Sequence, residues 1–209
     1  MRSPAVLWIV MVAAATQSLA AQRRVQVTPF VAAYYSAREL GKYVAPDTSG
    51  TGVKGQVLQT SSPAIGVSVG MMLSDVLGME VSGAYAFSNA RVQACDPSKL
   101  CLYQDQGGTL MVTSLAGRYR PRRSNFEGLA GLSMVIRGGD IWSGRSSNTS
   151  LGGMLGAGVV AQVTPKLALN VRGELHAYSF DPDESGSDWN SAMAMDFVFR
   201  VGVPLGGRR

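Results

Sequence analysis

From Leu167 to Leu205, apolar and polar positions alternate through two consecutive arms. In the last arm Met193, Met195, Phe197, Phe199, Val201, Val203 and Leu205 share one phase. Ala192, Ala194, Asp196, Val198, Arg200 and Gly202 share the other. The preceding arm sets Leu167, Leu169, Val171, Leu175 and Ala177 against Asn170, Arg172, Glu174, His176 and Tyr178. A period of two marks a β-strand with unlike environments on its two faces. The same alternation predicts strands over Val25–Tyr35, Ala64–Leu73, Met79–Ser88, Thr109–Arg120, Phe126–Arg137 and Leu151–Val163, which makes eight in all. Between them, 36–62 and 89–107 read as long loops, and 138–149 and 181–191 as medium ones. Ser74–Gly78, Pro121–Asn125 and Thr164–Lys166 read as tight turns. An even strand count with the long connections on one side is the pattern of a transmembrane barrel. The expected fold class is therefore all-β, an eight-stranded antiparallel up-and-down transmembrane β-barrel.

Alternation alone does not say which face points inward. A soluble barrel would place Leu, Met, Val and Phe inside. The polar phase, however, is mostly Gly, Ala and Ser with isolated charges, which suits the narrow interior of eight strands better than a solvated surface. The apolar phase carries no Arg or Lys, either of which would cost about 2–4 kcal/mol at the bilayer midplane. The polar phase is thus expected inside. That places Glu80, Arg118, Glu127, Arg137, Arg172, Glu174, His176, Asp196 and Arg200 in the lumen as one charge network, since buried charges need partners. Tyr35, Tyr85 and Phe87 near the long-loop ends, and Tyr119 and Phe126 near the short-turn ends, fit two interfacial aromatic girdles.

Composition sharpens this reading at three points. Charged residues are only 16% of 209, and glycine is abundant at 25. The longest apolar run, Ala5–Ala15, is too short for a transmembrane helix. Preceded by Arg2 and followed by Ser18-Leu19-Ala20-Ala21, it reads as a cleaved signal peptide over residues 1–21, leaving 22–209 as the barrel domain. Loss of Arg2 lowers the formal charge from +5 to +4. The arginines are scattered over strands and turns, so no nucleic-acid stripe is formed. In an exported chain, Cys95 and Cys101 read as a local disulfide, with two free thiols as the alternative. A metal site is disfavoured, because two thiols need further ligands and the single histidine lies far along the chain. No metal and no cofactor is expected.

With this strand pattern, residues 22–209 resemble the small OmpA/OmpX-like outer-membrane β-barrels of diderm, Gram-negative bacteria. Members of that class often end in a polar residue, a spacer, Gly, two spacers, an apolar residue, a spacer and an aromatic residue. Arg200, Gly202 and Leu205 match the first three elements of this assembly signal, and Gly207 stands where the aromatic would be. The resemblance implies outer-membrane localisation, contact with membrane lipid and recognition by the barrel-assembly machinery. It also implies periplasmic termini and short turns, with the long loops facing outward and available to an extracellular ligand. A monomer is expected.

Catalytic chemistry has one candidate. Some barrels of this size modify lipid A with a His-x-Ser pair, and His176 is the only possible base. Tyr178 stands where the serine would be, and Ser179 is on the opposite face. Glu174 shares a face with His176, so both fit the lumen network better than a catalytic site. The sequence reading is a non-enzymatic outer-membrane barrel, structural or interacting through its loops, with no catalytic residues. The alternatives are a lipid-modifying enzyme using His176 and a soluble periplasmic lipocalin-like carrier.

Overall fold

The computed structural model describes residues 25–37, 41–45, 53–95, 101–139, 148–165, 167–180 and 192–206. The expected signal peptide lies outside them. Thirteen strands run in chain order. They are β1 (Val25–Ser36), β2 (Gly41–Ala45), β3 (Val53–Gln59), β4 (Ser62–Met72), β5 (Leu77–Ala86), β6 (Ala90–Cys95) and β7 (Cys101–Gln106), followed by β8 (Gly108–Tyr119), β9 (Phe126–Gly139), β10 (Thr149–Thr164), β11 (Leu167–Phe180), β12 (Ala192–Gly202) and β13 (Leu205–Gly206). Eight of them, β1, β4, β5, β8, β9, β10, β11 and β12, pair antiparallel with their neighbours, and β12 pairs back onto β1. The sheet is closed, so the barrel has no free edge.

The stagger of the closure can be walked residue by residue. From Tyr35 the pairs run through Phe197, Leu175, Leu155, Ala130, Gly117, Met79 and Met71 to Val25. One circuit returns to the first strand ten residues earlier. An even stagger keeps every side chain on its own face, and strand tilts of about 35–45° accompany such closure. Every residue on that circuit is apolar or glycine. The next phase, through Ser36, Asp196, His176, Met154, Gly131, Ala116, Glu80, Gly70 and Gln26, carries the polar groups.

Burial settles the faces. Leu151 is 73% exposed, Leu132 69% and Ile65 62%, whereas Glu80, Glu127 and Arg172 are buried at 4%, 3% and 2%. The polar phase is inside, which overturns the soluble-carrier reading. The exposed aromatics Tyr35 and Phe87 sit toward one end and Tyr119 and Phe126 toward the other, and Tyr85 meets Phe87 edge-on at 5.1 Å.

The two stretches read as long loops are not structureless. Each contains a pair of strands, and β2, β3, β6 and β7 form a separate four-stranded sheet in the order β2-β3-β6-β7. These strands are only five to seven residues long, so their alternation is weak locally, and pairing of β3 with β6 joins the two connections into one sheet. The ladder slips by one residue between Gln59↔Ala90 in this sheet and Ala64↔Ala86 in the barrel. Hydrogen bonds from Thr60 N to Asn89 O at 2.9 Å, Ser88 Oγ to Thr60 O at 2.8 Å and Gln59 Nε2 to Ser88 Oγ at 2.6 Å hold that junction. The last predicted strand is also interrupted. β12 ends at Gly202, and β13 resumes the pairing with Gln26↔Gly206 and Val27↔Leu205. Val203, in the gap, donates to Pro29 O at 3.0 Å, but Pro29 has no N–H to return the bond, which accounts for the interruption.

Candidate functional site

The lumen is filled by side chains from opposite walls of the barrel. Small residues make room for them. On β10 the inward positions include Gly152, Gly156 and Gly158. Gly158 is the register partner of both Glu127 on β9 and Arg172 on β11. A Cβ at Gly158 would lie 3.1 Å from Arg172 Cβ, so its absence lets Glu127 and Arg172 meet across the intervening strand. Gly66 serves Phe30 in the same way, since a Cβ there would lie 2.4 Å from the Phe30 ring.

The larger of two polar clusters is centred on Glu127 and Glu80. Glu127 Oε2 accepts from Arg118 Nη2 at 2.5 Å and from Arg120 Nη2 at 2.9 Å. Its Oε1 accepts from Arg172 Nη2 at 2.5 Å and Asn170 Nδ2 at 2.7 Å. Glu80 Oε1 accepts from Arg172 Nη1 and Arg200 Nη2, both at 2.5 Å. Arg172 and Arg200 are direct register partners on β11 and β12. Such like-charge pairs are unfavourable unless an anion sits between them, and Glu80 fills that role. Glu174 Oε1 lies 3.0 Å from Arg200 Nη2 and 3.5 Å from Arg172 Nη1. Arg118 Nη1 donates to Gln26 Oε1 at 3.0 Å, and Arg200 stacks over the Phe30 ring at 4.6 Å.

The second cluster lies further toward the long-connection end. Tyr178 is its hub. Its hydroxyl accepts from Arg137 Nη2 at 2.5 Å and donates to Asp196 Oδ2. Arg137 Nη1 also donates to Ser150 Oγ at 3.2 Å, and its guanidinium lies 5.0 Å over the Tyr178 ring. His176 stands between the clusters. It is 1% exposed, pairs in register with Asp196, and its Nε2 lies 3.6 Å from Glu174 Oε2. Neither ring nitrogen has a hydrogen-bond partner among the described residues. The described residues contain no cluster able to hold a metal ion.

All nine charged or titratable residues predicted for the lumen are buried there; eight belong to these two clusters and His176 stands between them. Gln26, Arg120, Ser150, Asn170 and Tyr178 also take part and were not among them. The signal for these was present, since each lies on the polar phase of its strand, but neutrality or a strand-end position hid their role. Of the expected assembly signal, Arg200 belongs to the larger cluster. Gly202 lies against Phe30, where a Cβ would be 3.0 Å from Phe30 Cβ, and Leu205 is exposed on β13. Cys95 and Cys101 are register partners at the end of the β6–β7 pair. Their side chains lie outside the described residues.

A closed eight-stranded barrel with an apolar outer band and an ion-paired interior is an integral membrane barrel of the outer-membrane class. Residues 5–203 match the family model described as outer membrane protein beta-barrel domain, and the chain belongs to that family. It is an outer-membrane protein. Among solved structures it is similar to the outer membrane protein OprG from Pseudomonas aeruginosa. The two share 14% identity at a TM-score of 0.60, over 88% of this chain and 96% of that one. It is also similar to the outer membrane protein AlkL, solved in lipid bilayers, at 12% identity and a TM-score of 0.53, over 87% and 89% of the two chains. At these identities the likeness shows the fold alone. No curated protein matches the chain.

Proposed function

We propose that this protein is a non-enzymatic outer-membrane barrel that works through the sheet β2-β3-β6-β7 beyond its closed wall. The carrying observation is the lumen. Glu80, Glu127, Arg118, Arg172 and Arg200 come from five strands and bond to one another across the interior, where an open pore would need water. The interior therefore serves as a rigid plug, and interaction falls to the connections. Filling of the interior by side chains is ordinary at eight strands. In planar bilayers the purified full chain is expected to give no stepwise conductance, and regular ion-conducting steps would sink the plug reading.

The lipid-modifying alternative has less support. His176 is buried, and it has no hydroxyl bonded to it among the described residues, whereas a nucleophile and its base sit within hydrogen-bond reach. His176→Ala is expected to leave the lipid profile of the membrane unchanged. We also propose that Cys95 and Cys101 are disulfide-bonded, since backbone pairing places them opposite each other. Alkylation with and without reductant, read by mass, separates a bond from two free thiols.

A further inference from the structure

The outer wall carries a depression that the apolar band does not explain. One row of paired residues crosses five strands and reads Tyr119, Gly128, Ala157, Gly173, Phe199. Its ends are large and its three central residues are small. Phe126, Val159 and Val171, paired in the next outward row, line it on one side, and Leu155 and Leu175 stand in the outward row on the other side. The result is a trench of about 500 Å³ on the membrane face, within the size range of ligand pockets. A Cβ added at Gly128 or Gly173 would meet nothing within 4 Å. Beyond the Leu155–Leu175 ridge lies a second, smaller depression of about 310 Å³ around Gly153 and Ala177. The ridge is low at Ala130, which lines this second depression. Two adjoining apolar channels suit two hydrocarbon chains.

The trench opens toward the turn at Pro121, which lines it, and this turn carries Arg122 and Arg123. Arg122 pairs with Asp75 at 3.1 Å on the surface, and Arg123 has no partner among the described residues. Arg123 also has φ of 61°, a region where Gly or Asn is at home and Arg is not. A cationic turn at the membrane surface attracts anionic headgroups.

We propose that this trench holds one anionic diacyl glycerophospholipid, its chains in the two channels and its phosphate at Arg123 and Arg122. The proposal rests on the short turns facing the phospholipid leaflet. It is independent of the role of the β2-β3-β6-β7 sheet.

The test is native mass spectrometry of the full chain, released from bilayer discs of equal phosphatidylglycerol and phosphatidylcholine. The wild type is expected to retain one phosphatidylglycerol, favoured about fivefold for each contributing arginine. Gly128→Leu with Gly173→Leu fills open space without touching the lumen, and should lose the adduct while keeping a heat-sensitive gel shift. Arg123→Gly suits its backbone, and should keep an adduct but lose most of the preference between the two lipids. Absence of retained lipid in the wild type would overturn the proposal, as would an unchanged adduct in the double variant. Equal retention of both lipids would overturn the headgroup assignment. Preferential retention of a lipid A glycolipid from a mixture containing it would overturn the choice of leaflet.

Discussion

Glu127 carries more of the interior than any other described side chain. Its two oxygens accept hydrogen bonds from Arg118, Arg120, Asn170 and Arg172, so its loss takes an anion away from three guanidinium groups at once. Removing one partner of a buried ion pair costs about 3–5 kcal/mol, because the remaining charge stays desolvated. Glu127→Leu is therefore expected to lower the folding stability of the barrel by that order, read from the fall in the urea midpoint of the fraction keeping folded gel mobility. Leu129→Met, equally buried on the same strand, should cost less than about 1.5 kcal/mol. Tyr178→Phe should fall between them, at about 1–3 kcal/mol. It removes one hydroxyl and leaves Asp196 and Arg137 short of a bond. If Tyr178→Phe costs more than Glu127→Leu, the larger cluster is not the dominant one.

Strand β10 shows how an element can matter through what it lacks. Its inward glycines set β9 and β11 close enough for their long side chains to meet over it, the small-and-large alternation typical of narrow barrel interiors. Gly158→Leu would push against Arg172 and the backbone, and is expected to destabilise by at least the 1–3 kcal/mol typical of overpacking. The same change at Gly173, one face over, has open space and should be tolerated. Equal folding yields for the two would argue against the face assignment. At the other end of the chain, the Val203–Pro204 interruption leaves β13 attached to β1 through Val27↔Leu205 and Gln26↔Gly206. Val203 N still donates to Pro29 O at 3.0 Å, so the ladder is thinned there without losing register.

The molecule as a whole is a closed wall with a dry outside and a charged inside, the reverse of a soluble domain. Closed barrels leave no edge from which unfolding starts, so the folded chain should resist SDS until heated, giving a mobility shift with boiling in the outer-membrane fraction. Leu155→Arg places a charge on the outer face at mid-strand and should cost about 2–4 kcal/mol of folding stability in vesicles. In a detergent with a loosely hydrated surface that penalty should shrink. An Arg on the outer face tolerated equally in both would mean that this wall does not meet hydrocarbon. The four-stranded sheet adds to this wall without altering its closure, since it joins through the one-residue slip at Thr60 and Asn89.

Much of this architecture is legible in the amino-acid order. Successive side chains of a pleated strand point to opposite faces, so the eight barrel strands, their two faces and the membership of Glu80, Glu127, Arg172 and Arg200 in the inner face can be read from period-two alternation. The identity of the charges even foretells a balanced interior. What meets what inside does not follow from local order. Arg172 reaches Glu80 across 92 residues and Arg200 reaches it across 120, and both contacts exist because the sheet closes with a stagger of ten residues. Closure likewise decides that Gly158 separates Glu127 from Arg172, and that Gly128, Ala157 and Gly173 line up into a trench. The sheet of β2, β3, β6 and β7 escapes a local reading in a similar way, since its two hairpins become one sheet only where β3 pairs with β6, a segment distant in sequence. Alternation is a property of one strand, whereas partnership is a property of the closed sheet.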